Sequence, residues 1–179
     1  MYGEEVVGMA WQMGNVFAML GAALAIALPG IASSIGMSWV QRSAAGVITE
    51  QPEKFGKTMI LQLIPSSATL YGFVVAFLIM GNAVMLGEGE YGYDAISGLT
   101  ILAAALPIAL VGFFGTLMQA KVCVAGVQMV GKDDSLSGRA LVMAVFIELF
   151  VLFALIVSIL SVFSVETITT IAETAAAAY

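Results

Sequence analysis

The chain has no histidine, one cysteine, and charge on only 10% of its 179 residues. Without histidine, Ser–His and Cys–His catalytic pairs are excluded, as are histidine metal sites. Cys123 cannot form a disulfide within the chain and offers no zinc-type spacing. It reads as a small apolar packing residue. Positive charge is scarce: six Lys and Arg stand against twelve Asp and Glu, for a net charge of -6 and no basic run. That balance argues against a nucleic-acid partner. The start, Met-Tyr-Gly-Glu-Glu, lacks the basic region of a cleaved leader, so the first apolar block is expected to stay as a membrane span.

What the chain has in excess is apolar sequence, 61% of it, arranged in blocks. Blocks of at least ~18 apolar residues with few charges read as membrane-spanning helices. Four can be drawn: about Trp11 to Ala45, Thr58 to Leu86, Ala95 to Val130 and Gly138 to Val165. The first and third exceed the ~20 residues a bilayer core requires and are expected to project beyond it. The loops between them are short, which implies antiparallel hairpins. The expected architecture is an all-α membrane protein. Residues 1–10 form a short acidic extension, 11–86 the first hairpin and 87–94 a non-cytoplasmic loop. Residues 95–165 form the second hairpin, with the candidate site, and 166–179 a tail.

Two patterns organise these spans. Arg42, Lys54 and Lys57 flank loop one, Lys121, Lys132 and Arg139 flank loop three, and no other basic residue exists. The positive-inside rule then puts loops one and three in the cytoplasm and both termini outside. The halves also repeat at an offset of 82 residues: Leu70-Tyr71-Gly72-Phe73 aligns with Leu152-Phe153-Ala154-Leu155. In the same register Gly30, Ser34 and Ser38 align with Gly112, Thr116 and Ala120. These small-residue stripes should let spans one and three pack closely as an inner layer. Glu148 aligns with Ser66, so the duplication left one carboxylate.

Glu148 lies nine residues from Arg139, within the fourth apolar block. A charged acid at that depth costs ~3 kcal/mol or more, and intramembrane acids usually mark ion pathways. The bland alternative is a neutral acid bonding a neighbouring helix. Gln119, on span three, has a carboxamide oxygen able to ligate a hard cation or accept a proton from an acid; otherwise it is interhelical glue. Span two carries Ile64-Pro65-Ser66-Ser67-Ala68-Thr69-Leu70-Tyr71. Pro65 removes a backbone donor and loosens the turn, freeing carbonyls. Ser67 and Tyr71, four apart, share a face and can offer oxygens or hydrogen bonds to Glu148. The competing expectation is a proline kink with its serines bonded to their own backbone.

The duplicated hairpin, the single acid in the last span, and Gln51-Pro52-Glu53-Lys54-Phe55 followed by Leu61-Gln62-Leu63-Ile64-Pro65 resemble one known family. It is the rotor-ring proteolipid, subunit K, of bacterial and archaeal V/A-type ATPases. Leu70-Tyr71-Gly72-Phe73, Gln119-Ala120-Lys121-Val122 and Ile147-Glu148 support the match, which covers about residues 14–165. The resemblance implies a homo-oligomeric ring of about ten copies. The ring turns in the cell membrane against a stator subunit that supplies an arginine, and a central shaft meets its cytoplasmic loops. It further implies that Na+ or H+ is carried, with no organic cofactor. In sodium-binding members the equivalents of Glu148, Gln119, Ser67 and the Ile64 carbonyl hold the ion, and that of Tyr71 bonds the glutamate. A glutamine that is a further ligand in the family is Ala68 here, so one oxygen is missing and the ion is left open.

Other classes fit less well. A small proton- or cation-coupled antiporter using Glu148 is the alternative, but its acid would sit in a polar substrate cavity. A purely structural four-span protein would have no use for Glu148, Gln119 and Ser67 together. A membrane enzyme lacks a nucleophile–base pair.

Overall fold

The structure is a computed structural model that describes residues 2–82, 93 and 95–177, with side chains described for 13–81, 93 and 95–165. Loop two, expected at 87–94, lies outside the described residues except for Tyr93. Helices α1 (Tyr2–Glu50), α2 (Phe55–Leu63), α3 (Ser67–Asn82), α4 (Ala95–Lys132) and α5 (Ser137–Ala177) follow in order. Among the described residues four stretches are long and apolar enough to cross a membrane: Met13–Glu50, Pro52–Gly81, Ala95–Lys132 and Asp134–Val165. A helix satisfies its own backbone groups, which is what hydrocarbon demands.

Helix ends follow local chemistry. The residue before a proline is pushed out of the helical region, and Gln51, at φ -138° and ψ 78°, ends α1 there. Pro52 opens the 3-10 turn Pro52–Lys54 that leads into α2. Pro65 sits in a second 3-10 turn, Ile64–Ser66, that separates α2 from α3. Span two therefore tightens into a single 3-10 turn at Pro65 while keeping its helical course. Asp133 is extended, and its carboxylate accepts from the Ser135 N–H at 2.8 Å, capping the turn before α5. The backbone hydrogen bond from Ser135 holds the Asp133 carboxyl below its ordinary range.

Helix ends also differ from the expected spans. Helix α1 begins at Tyr2 and runs to Glu50, beyond both ends expected for span one. Helix α5 continues to Ala177, so the segment set aside as a tail is helical that far.

The α1–α4 pair makes the most extensive contact, flanked by α3 against α1 and α5 against α4. This is the expected inner layer. The expected stripes meet it unequally. Gly112, Thr116 and Ala120 are buried on α4, and a methyl on Gly112 would sit 2.8 Å from Pro29 Cγ. On α1 the face turned to α4 is instead Gly21, Pro29 and Gly36, while Ser34 is exposed. The stripe on α1 points away from α4, because the repeat gives both stripes the same direction around the molecule.

Helix α3 comes so close to α1 at Gly72 that a Cβ there would collide with the Ala25 carbonyl. Thr69 completes this contact, donating to the Ser33 hydroxyl at 2.8 Å. At one end, loops one and three clasp each other. Buried Lys54 donates to the Val130 and Gly131 carbonyls at 2.9 and 2.8 Å. These belong to the last turn of α4, whose carbonyls have no helical partner. Lys57 pairs with Asp134 at 2.8 Å.

Candidate ion site

Glu148 lies about 16 Å along α5 from Ser137, among apolar neighbours on its own helix. Gln119 reaches it from α4. The Gln119 side chain is fully buried, and its amide donates to Glu148 Oε2 at 2.6 Å and to the Ala144 carbonyl at 3.3 Å. The Ala144 carbonyl, one helical turn before Glu148, thus fixes the carboxamide orientation. Residue-type reasoning misses it, because any residue supplies a carbonyl.

The geometry leaves two oxygens over. Gln119 Oε1 and Glu148 Oε1 are both buried and without a hydrogen-bond partner among the described residues. Buried polar atoms in native proteins are nearly always satisfied, and an unpartnered acceptor on each of two directly bonded side chains is a place a positive group could serve. A proton on Oε1 would turn the acid into a donor, able to bond the carboxamide oxygen. A sodium ion would take both oxygens as hard ligands. Among the described residues no group of three His, Cys, Asp or Glu comes together. One carboxylate matches one positive charge.

The remaining predicted residues come from the α2–α3 turn. The Tyr71 hydroxyl lies close to both Glu148 and Ser67. Ser67 donates to the Ile64 carbonyl at 2.9 Å and Ser66 to the Leu63 carbonyl at 2.7 Å. The serines therefore bond their own backbone, as the bland expectation held. Ser67 and the Ile64 carbonyl bond each other. Glu148 and Gln119 are directly bonded, and Tyr71 lies close to the acid. Ala68, where a further oxygen was noted as missing, is buried in the apolar core. Cys123, read as packing, is buried. Ser158 also lacked a role at the sequence level: it is buried and accepts from the Ile108 N–H at 3.1 Å, just after Pro107.

The profile of the ATP synthase C-subunit family matches twice, over residues 20–79 and 102–161. The chain belongs to that family. The two matches stand in the register of the internal repeat. The chain is 40% identical over 139 residues to the V-type sodium ATPase subunit K of Enterococcus hirae, covering 78% of this chain and 85% of that one. It is 33% identical over 162 residues to the A-type ATP synthase subunit K of Methanocaldococcus jannaschii, covering 90% and 69%. The ATP synthase c-subunit of Syntrophomonas wolfei is 37% identical over 68 residues, which is 94% of that protein but 36% of this one. The chain is a multi-pass membrane protein and a non-catalytic rotor subunit of a V/A-type ATPase.

Proposed function

We propose that the subunit binds one Na+ or H+ on Glu148 and carries it across the membrane as a ring of identical copies turns, coupled to ATP hydrolysis or synthesis. The observation that carries this reading is the Glu148–Gln119 pair inside the membrane span, with one unpartnered oxygen on each side chain. With its charge neutralised by either cation, Glu148 can pass lipid. In a stator half-channel, where water and a stator arginine favour the empty carboxylate, it exchanges its ion. Moving one charge across 100 mV is worth ~2.3 kcal/mol, so several steps are needed per ATP. Loops one and three would be cytoplasmic and meet the shaft, with the termini outside. The name of the Enterococcus hirae relative supports sodium; the alanine at position 68 weighs against a full oxygen cage. Family membership leaves the antiporter reading without a supporting observation.

Replacing Glu148 with Gln in the assembled complex tests the assignment. Ion-coupled ATP hydrolysis and cation uptake into proteoliposomes should be abolished while the complex still assembles. Retained uptake would refute the role of Glu148.

A further inference from the structure

We propose that Thr116 is a further ligand of the ion site: its hydroxyl supplies a third oxygen, and the three oxygens together favour sodium over a proton. This rests on the reading of Glu148 as the cation carrier, and it names the cation and a residue that discriminates it. Thr116 lies one helical turn before Gln119 on α4. It is fully buried, and its hydroxyl oxygen has no hydrogen-bond partner among the described residues. A mid-helix hydroxyl shielded from water ordinarily bonds a carbonyl one turn back. Other hydroxyls of this chain do so: Ser34 donates to the Gly30 carbonyl at 2.9 Å, Thr100 to Ile96 at 2.9 Å and Ser164 to Leu160 at 2.7 Å. Ser34 is the residue that aligns with Thr116 across the repeat. It is exposed and bonded to its own helix, whereas Thr116 is buried and is not.

The packing brings this hydroxyl beside the site. On α4, Gly115 faces Val151 of α5, and Gln119 reaches Glu148. The Thr116 turn also meets α1 and span two: a methyl on Gly36 would lie 3.7 Å from the Thr116 carbonyl and 3.7 Å from Pro65 Cβ. Residues three apart on a helix have Cβ atoms about 5–6 Å apart, and a long side chain lies back over the turn before its own. Gln119 therefore covers the turn that carries Thr116. Ala68, the next buried residue of span two after Pro65, has only a methyl to offer. The number of unpartnered oxygens then bears on the ion. Glu148 Oε1, Gln119 Oε1 and Thr116 Oγ1 are all buried without a partner among the described residues. A proton serves two of them, as an acid hydrogen on Glu148 bonded to Gln119, and leaves Thr116 unused. A hard cation gathers several oxygens at once and employs all three. The hydroxyl adds lone pairs but no charge, so the carboxylate and one Na+ stay neutral together.

Carbodiimide labelling of Glu148 in the assembled complex, titrated with sodium at constant pH, tests this. Thr116→Val keeps the shape and removes the oxygen. It should raise the sodium concentration that half-protects Glu148 by roughly 10-fold or more, the loss expected for a bond to a charged group. Sodium-free labelling across pH should match the parent. Thr116→Ala should show the same loss, and Thr116→Ser, which restores a hydroxyl, should stay near the parent. Without sodium, Thr116→Val should melt no lower than the parent, because it removes an unpartnered polar group from the interior. Half-protection at the parent's sodium concentration in both hydroxyl-free variants would overturn the proposal. So would a Thr116→Ser variant as weak as Thr116→Ala, or a Thr116→Val variant that melts below the parent, since the side chain would then serve packing. Glu148 labelled in the parent but not protected by sodium would overturn it while leaving a proton carrier. Labelling elsewhere than Glu148 would overturn the carrier reading as well.

Discussion

Glu148 and Gln119 form a two-residue device whose parts act unequally. The carboxylate supplies charge, and the carboxamide supplies two N–H donors and one acceptor oxygen. The donors go to Glu148 and to Ala144, which leaves the acceptor without a partner among the described residues. Replacing Gln119 with Leu keeps the volume roughly and removes both functions. A hydrogen bond or ligand to a charged group contributes about 1.5–3 kcal/mol, or roughly 10- to 150-fold in affinity. The concentration of the carried cation that half-fills Glu148, read from its carboxyl modification, should rise by that factor. An unchanged value would mean Gln119 is only glue between α4 and α5. Tyr71→Phe should have a smaller effect, because Tyr71 lies beside the acid while Ser67 and Ile64 are already paired with each other. An effect as large as that of Gln119→Leu would show that Tyr71 has been placed too far from the site.

At the scale of the helices, two close approaches set the frame. Gly72 faces the Ala25 carbonyl, which is backbone and cannot rotate away. Gly72→Val should therefore separate α3 from α1 and lower yield and thermal stability, by more than the ~1–3 kcal/mol usual for overpacking. Wild-type melting of Gly72→Val would contradict this packing. The clasp between loops makes a contrast. Lys54→Met removes a buried cation from two helix-end carbonyls and should cost about 1–3 kcal/mol. Lys57→Met removes an exposed pair and should cost about 0–1 kcal/mol. Thermal melts of the purified subunit would check the order, and equal losses would refute it. The Asp133 cap has a sign of its own. Its carboxyl is held low in the folded chain, so its support is present above the ordinary carboxylate range and fades only as the pH falls below it.

This is also the scale at which legibility in the sequence divides. Span number, hairpin pairing and the inner α1–α4 layer were legible because apolar blocks and a repeat are one-dimensional signals. The 3-10 turn after Leu63 was half legible, since Pro65 announced a disturbance but not its form. The orientation of the α1 stripe was not legible: spacing identifies a helix face but not its partner. The bonds of Gln119 to Glu148 and Ala144 depend on how α4 and α5 are rotated against each other, which no spacing within one helix encodes.

For the whole molecule, the unequal halves carry the argument. Both halves keep the hairpin, but only the second has a carboxylate at the aligned position within the span, and the first brings Tyr71 close to it. On the proposed reading each chain would hold one cation for four spans, and a ring built from it would move fewer ions per turn than one built from single hairpins with a site each.

The most direct test is carbodiimide modification of the assembled complex, with and without sodium and across pH, mapped by peptide mass spectrometry. The account predicts one modified residue, Glu148. Its labelling should be suppressed by sodium at constant pH if the ion is Na+, and only by raised pH, which empties the protonated acid the reagent attacks, if it is H+. Modification at any other carboxylate in place of Glu148, or labelling of Glu148 that neither sodium nor pH alters, would contradict it.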